Sequence, residues 1–330
     1  MDLGGLTASR AGWKNRAMMR IACIGECMIE IREAADGSLT RAYGGDTLNT
    51  ALYLARLGQS VDYITALGDD HWSDEMAAGW QAEGIGTRWV VRLAGRLPGL
   101  YLVQTDARGE RRFSHWRDSA AARSLFALSE TPDIIEALVG YDLLYLSGIS
   151  LSLYGDAGRE RLFDTLDRAR QNGHRVVFDT NFRPRGWPDR SAAQTVYREA
   201  FARSDIVLAS TEDLEPIFGA SGKDELIERC ASAEIILKLP DRTSHILGQD
   251  VDIVVRADPV AKVVDTTAAG DSFAAAYLAA RLAGADPAAA AAAGHQLAGI
   301  VVGYPGAIIP REAMAGLIKP QTDAGKDHLT

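Results

Sequence analysis

Short apolar runs rich in β-branched residues punctuate the chain: RIACIGE, SVDYITALG, LLYLSG, RVVFDTN, IVLAS and EIILKL. Stretches of helical period separate most of them. This alternation predicts an α/β fold, a doubly wound and mostly parallel sheet with helices on both faces. A helix is predicted over Thr47 to Leu57, stopped by Gly58, a residue suited to the left-handed position past a helix end. Another opens with Asp286 as cap and Pro287 in the first turn, so the alanine run 288–293 reads as helix rather than as low complexity. One stretch breaks the alternation. GLYLVQTDARGERRFSHWR (99–117) reads as two strands joined by a turn at Asp106 to Gly109. With EIREAADGSLTRAYGG (30–45) it predicts a small antiparallel flap, about 29–44 and 98–118, over one edge of a main domain spanning 19–318. Such a flap could close on a ligand; a static edge hairpin is the alternative.

The segment VDTTAAGDSFAAAYLAARL (264–282) runs from a glycine-bearing turn into a helix, with Asp271 at the junction. Backbone amides at a helix start form an anion site, and those of Ala269, Gly270 and Asp271 could cradle a phosphoryl group. The Asp271 carboxylate could then take the proton of an attacking hydroxyl, the layout of a small-molecule kinase. Taken alone, the same residues fit a plain N-cap by Asp271 on an alanine-rich helix.

Composition narrows the setting. The 330 residues are 47% hydrophobic, enough for a large core, and the net charge of -9 gives no electrostatic reason to expect nucleic acid or an anionic membrane as partner. Three cysteines without a CxxC pair, and six histidines without metal spacing, point to a reduced cytoplasmic enzyme lacking structural zinc. No apolar run approaches a membrane span. Residues 1–18 carry Arg10, Lys14 and Arg16 but no hydrophobic core, so a disordered extension, or an upstream start, is expected before Met19 rather than a secretory signal, with a short tail at 319–330.

AYGGDTLNTALYLARLG (42–58) and DTTAAGDSF (265–273), in this order, resemble the two signature segments of the PfkB, or ribokinase-like, carbohydrate kinases. The likeness runs from about Arg20 to about Met314. GECMIEI, the flap segment GLYLVQTD with its WR, and YPGAIIPREAM (304–314) are similar to the members that phosphorylate the 6-hydroxyl of 2-keto-3-deoxygluconate with ATP and Mg2+. The resemblance implies catalysis by Asp271 as base, with the Ala268, Ala269, Gly270 and Asp271 backbone as anion hole. It places Gly45, Asp46, Asn49, Tyr101, His115, Arg117, Asn181 and Arg183 against the sugar. Ser210, Asp213, Lys238, Thr266 and Gly306 fall on the nucleotide side, with Asp213 reaching magnesium through water. The implied partners are a sugar acid, ATP and further copies of the chain, as a dimer or higher oligomer. An acidic sugar also makes chemical sense of the arginines, because a 2-keto acid brings a carboxylate that suits the planar guanidinium fork of Arg117 and Arg183.

Several positions depart from the family pattern. Ala268 stands where the motif has glycine, so the turn there is expected to be tolerant or slightly re-aimed. His115 replaces a tyrosine and could make affinity sensitive to pH. Ser210 to Asp213 replaces an Asn-x-x-Glu, and Pro240 falls where relatives carry a glycine-bearing nucleotide loop. Neither GxGxxG after the first strand nor a Walker A motif is present, since Gly219 to Lys223 has the wrong spacing. A fructokinase or another sugar-acid kinase, and a sugar-binding regulator on the same fold, are the alternatives.

Overall fold

The computed structural model describes residues 19–33, 36–105, 111–230 and 233–317. The expected extension at 1–18, the tail at 319–330 and the flap turn at Asp106 to Gly109 lie outside the described residues. In chain order the strands are β1 (Arg20–Ile24), β2 (Met28–Glu33), β3 (Leu39–Gly44), β4 (Ser60–Gly68), β5 (Val90–Leu93), β6 (Gly99–Thr105), β7 (Arg111–Trp116), β8 (Leu143–Ser147), β9 (Arg175–Asp179), β10 (Ile206–Ser210), β11 (Glu234–Lys238), β12 (Thr243–Gly248) and β13 (Val251–Arg256). Nine of them form one sheet in the order β13-β12-β11-β10-β9-β8-β1-β4-β5. Only the β11–β12 and β12–β13 pairings in it are antiparallel.

The central strands lack hydrophobic alternation because both faces are covered. In β1, Ile21 and Cys23 enter the core beneath helices Asp46–Arg56, Ala269–Leu282 and Pro287–Val301. Ala22 and Ile24 enter the opposite core with Leu162, Leu166, Tyr197 and Phe201 of the helices on the other face. The alanine-rich helices pack through small buried residues such as Ala274, Ala275, Ala290 and Ala291. At Gly294 a methyl group would come within 2.7 Å of the Phe273 ring, so this alanine run is a close-packing surface. Asp286 caps its helix by accepting from the Ala289 amide at 2.8 Å, and Gly58 takes φ +83° just past the Asp46–Arg56 helix, as their sequence positions predict.

The remaining four strands make a second sheet in the order β3-β2-β6-β7. It is mixed rather than wholly antiparallel, because β2 and β6 run parallel. Both follow strands that are themselves parallel in the main sheet, β1 and β5, and leave it in the same direction. The register aligns Glu30 with Tyr101 and His115, and Arg32 with Val103 and Phe113, so all six share one face. Chain order reverses where β1 lies between β4 and β8. Loops leaving the strand ends on this side of the sheet gather the candidate residues, as expected for an open α/β sheet.

Candidate active site

The helix that carries Asp271 starts at Ala269, after a residue, Ala268, in the left-handed conformation (φ +60°, ψ 13°). The turn is therefore not re-aimed: the alanine adopts the glycine-like geometry itself, at about 1 kcal/mol of strain. Asp271 is the third helical residue, not the cap, and its Oδ2 accepts from Asn49 Nδ2 at 2.8 Å. Of the three amides expected to be open, that of Ala269 donates to the Thr266 carbonyl at 3.2 Å. Those of Gly270 and Asp271 remain as first-turn donors for an anion.

Lys238 reinforces that site from the end of β11. A methyl group at Gly270 would lie 3.3 Å from Lys238 Nζ, which places the ammonium against the helix start. The same Nζ is 3.9 Å from Asp179 Oδ2, so the lysine also faces a buried carboxylate. Withdrawal from water first pushes the carboxyl of the part-buried Asp271 up to about 7; the neighbouring Asp46 and Asp179 charges add to the rise, and Asn49 and Lys238 oppose it. Asp179 is raised to about 6 by burial first; Lys238 opposes, while Asp213 and Asp46 add. A carboxylate at a phosphate-ready helix start, poised near neutrality, has the pKa wanted of a general base.

On the other side of Asp271, Gly44 and Gly45 bring the backbone close to its neighbours. A methyl group at Gly45 would fall 2.1 Å from the Glu26 carbonyl oxygen, and one at Gly44 2.9 Å from the Tyr101 hydroxyl. Asp46 accepts from Asn181 Nδ2 at 2.7 Å, tying the β9 loop to the first turn of the Asp46–Arg56 helix. Tyr101 stacks on His115 with ring centroids 5.8 Å apart. Its hydroxyl, expected on the sugar, donates instead to Glu30, because the register sets that buried carboxylate directly opposite.

The basic side chains expected to meet the sugar carboxylate gather around His115. Partial burial, then Arg117, Arg185 and Arg183, hold the imidazole below its usual pKa. The pH sensitivity expected of it therefore lies on the acid side of 6.5. Arg117 is ion-paired with the buried Glu26, while Arg183 donates to the Phe182 carbonyl at 2.7 Å and stands 3.7 Å from Asp213. Arg183 is the freer of the two, with 56% of its side chain exposed against 19% for Arg117.

The nucleotide-side candidates are more dispersed. Ser210 caps helix Thr211–Phe218, its hydroxyl accepting from the Asp213 amide and donating to Asp213 Oδ2. Asp213 also accepts from Thr180 Oγ1 at 2.8 Å and from the Phe182 amide at 3.0 Å, so both its oxygens are committed to strapping the β9 loop. Direct coordination of a metal ion would cost those bonds. No group of three or more His, Cys, Asp or Glu side chains among the described residues is arranged to hold a metal ion. Pro240 lies in the β11–β12 hairpin turn, where Arg242 (φ +63°) supplies the left-handed residue that a glycine loop would offer. Thr266 is exposed, and Gly306 (φ +88°) donates its amide to Asp265 at 2.9 Å.

Sequence reasoning passed over Glu26, Glu30, Arg32, Asp179, Arg185 and Asp265. Glu30 and Arg32 did carry a signal, since charges at alternate positions of a strand share one face.

The arrangement sets a buried-facing carboxylate, a lysine and two first-turn amides at one helix start, and residues 18–314 match the pfkB family carbohydrate kinase model. The chain belongs to that family. It is 42% identical over 305 residues to the 2-dehydro-3-deoxygluconokinase of Escherichia coli (strain K12), covering 89% of this chain and 98% of that one. The enzyme of the same name from Dickeya dadantii is 43% identical over 304 residues, again 89% and 98% of the two chains. The fold is shared with the 2-dehydro-3-deoxygluconokinase of Thermotoga maritima (TM-score 0.80, 22% identity, 92% of this chain and 99% of that one). A fructokinase with bound ATP from Xylella fastidiosa also shares it (TM-score 0.77, 22% identity, 91% and 98%).

Proposed function

We propose that this protein transfers the γ-phosphoryl group of ATP to the 6-hydroxyl of 2-keto-3-deoxygluconate, also called 2-dehydro-3-deoxygluconate. The observation that carries the reading is Asp271, raised to about 7 at the start of a helix whose free amides face a lysine. Asp271 accepts the hydroxyl proton as that oxygen forms its bond to the γ-phosphorus, and the bond from phosphorus to the bridging oxygen of ADP breaks. The Gly270 and Asp271 amides, with Lys238, offset the charge on the phosphoryl oxygens. Asn49 orients the base. Asp213 would hold magnesium through water, and the ion would supply further charge neutralisation.

Arg183, with Arg185 and Arg117 around His115, is the carboxylate-binding group in this reading, and the stacked Tyr101–His115 face lies against the sugar. Thr266 and Gly306 are assigned to the nucleotide side. Three buried free cysteines support a reducing, cytoplasmic setting. Among the described residues no helix is long and apolar enough to cross a membrane. Exposed Leu39 and Trp116 on the flap support self-association, which light scattering on the purified protein tests.

A coupled ADP-release assay over 2-keto-3-deoxygluconate, its galactonate epimer, gluconate, fructose and ribose tests the reading. We expect kcat/KM for the 2-keto-3-deoxy acid to exceed that for the neutral sugars by about 100-fold or more, because they leave the arginines unpaired. Faster turnover of fructose would replace the reading with a fructokinase; no turnover of any sugar would leave a binding protein on a kinase fold.

A further inference from the structure

We propose that Arg32 is a positioning residue that couples the sugar side of this site to its phosphoryl side; the inference rests on the kinase reading above. Arg32 lies on β2, on the same face as Glu30, Tyr101 and His115. Its Nε donates to Glu30, whose other carboxylate oxygen takes the Tyr101 hydroxyl. Its Nη1 donates to Asp265 Oδ2 at 3.0 Å, in a segment 233 residues away. Asp265 in turn accepts from the Thr267 amide at 2.8 Å, the Thr267 hydroxyl at 2.6 Å and the Gly306 amide at 2.9 Å. Thr267 immediately precedes Ala268, the left-handed residue from which the anion-binding helix starts. A continuous chain of charge-assisted bonds thus runs from the flap tyrosine to the turn that sets the Gly270 and Asp271 amides.

The chemistry of the link favours arginine. Glu30 and Asp265 are 3% and 5% exposed, and two buried carboxylates held by one cation need donors aimed in two directions. A guanidinium provides them on a rigid plane; a lysine ammonium on a flexible stem does not. Burial works against charging Asp265, yet the bonds from Thr267, the Gly306 amide and Arg32 hold its carboxyl well below the usual range, so it stays an anion for Arg32 to grip. A sugar that presses on Tyr101 and His115 therefore favours one placement of the flap, and through Arg32 one placement of the turn before Ala268. Sugar and nucleotide should then each tighten the binding of the other by the same factor.

The test measures Kd for a non-hydrolysable ATP analogue with Mg2+, with and without saturating 2-keto-3-deoxygluconate, in wild type, Arg32→Met and Arg32→Lys. Melting temperature serves as the check on folding. In wild type the sugar should tighten the analogue about 5-fold or more; in both variants the ratio should fall to within about twofold of one. Separate wild-type turnover distinguishes the two readings: no phosphorylation of the sugar acid refutes the kinase assignment. A wild type that turns over but shows no coupling overturns the Arg32 proposal, as does a wild-type ratio in either variant. Loss of the fold in both variants makes Arg32 a structural residue and overturns it equally.

Discussion

Replacing Asp271 with asparagine separates its chemical role from its structural one, because an amide oxygen can still accept from Asn49 while the proton-accepting charge disappears. Wild-type Asp271 is raised from an ordinary 3.8 to about 7, so between those values the folded state holds a proton that the unfolded chain has lost. Wild-type stability contributed by this group is full below pH 4 and is lost as pH rises to about 7. Ionising the carboxylate costs at most about 4 kcal/mol at 1.36 kcal/mol per pH unit, and partial contact with water lowers that to roughly 2 kcal/mol. Asp271→Asn should therefore melt at about the wild-type temperature near pH 4 and several degrees above it at pH 8. Its kcat should fall by on the order of 100-fold or more while sugar binding persists. Wild-type kcat/KM should drop tenfold per pH unit below about 7, a limb absent from the variant's residual rate. Melting curves across pH and initial rates by ADP release are the assays. A near-normal kcat, or a stability gain independent of pH, would refute the assignment of Asp271 as an elevated general base.

Ala268→Gly should relieve the left-handed alanine, adding about 1 kcal/mol of stability and changing the rate no more than a few-fold; calorimetry and initial rates read both. Arg183→Leu should raise KM for the sugar acid by an order of magnitude or more, with a smaller loss in kcat and little change on fructose, since it removes charge-assisted bonds worth roughly 1.5 to 3 kcal/mol. Arg117→Leu should show the same substrate effect and also destabilise the fold by about 3 kcal/mol, because it strands the buried Glu26; equal losses on acid and neutral sugars in both variants would move these arginines out of the carboxylate site. Hydrogen exchange at 99–105 and 111–117 should slow when sugar binds; unchanged protection would make the flap a static sheet.

The sheet was legible because β1, β8, β9 and β10 are buried on both faces and so read as unbroken apolar runs. The place of Asp271 in the first turn of a helix was legible because a glycine-bearing turn precedes an alanine-rich run. The supporting partners were not. Asn49 and Asp271 are 222 residues apart, and Arg32 and Asp265 are 233 apart, distances at which local pattern carries no pairing information. Glu30 and Arg32 share a strand face in the sequence, but only the flap register sets Glu30 opposite Tyr101, and only the folded chain pairs Glu26 with Arg117. Tyr101 shows the same limit from the other side: its place in a flap strand is local, but the capture of its hydroxyl by Glu30 follows only from the sheet.

The proposed reaction is the transfer of phosphate to one hydroxyl of an acidic sugar. Proton-coupled phosphorus NMR of the product made from 2-keto-3-deoxygluconate and ATP reads it directly. One new phosphomonoester is expected, split by the two protons on C6 and formed in step with ADP; phosphate on another carbon, or ADP released without a phosphorylated sugar, would overturn the proposed reaction.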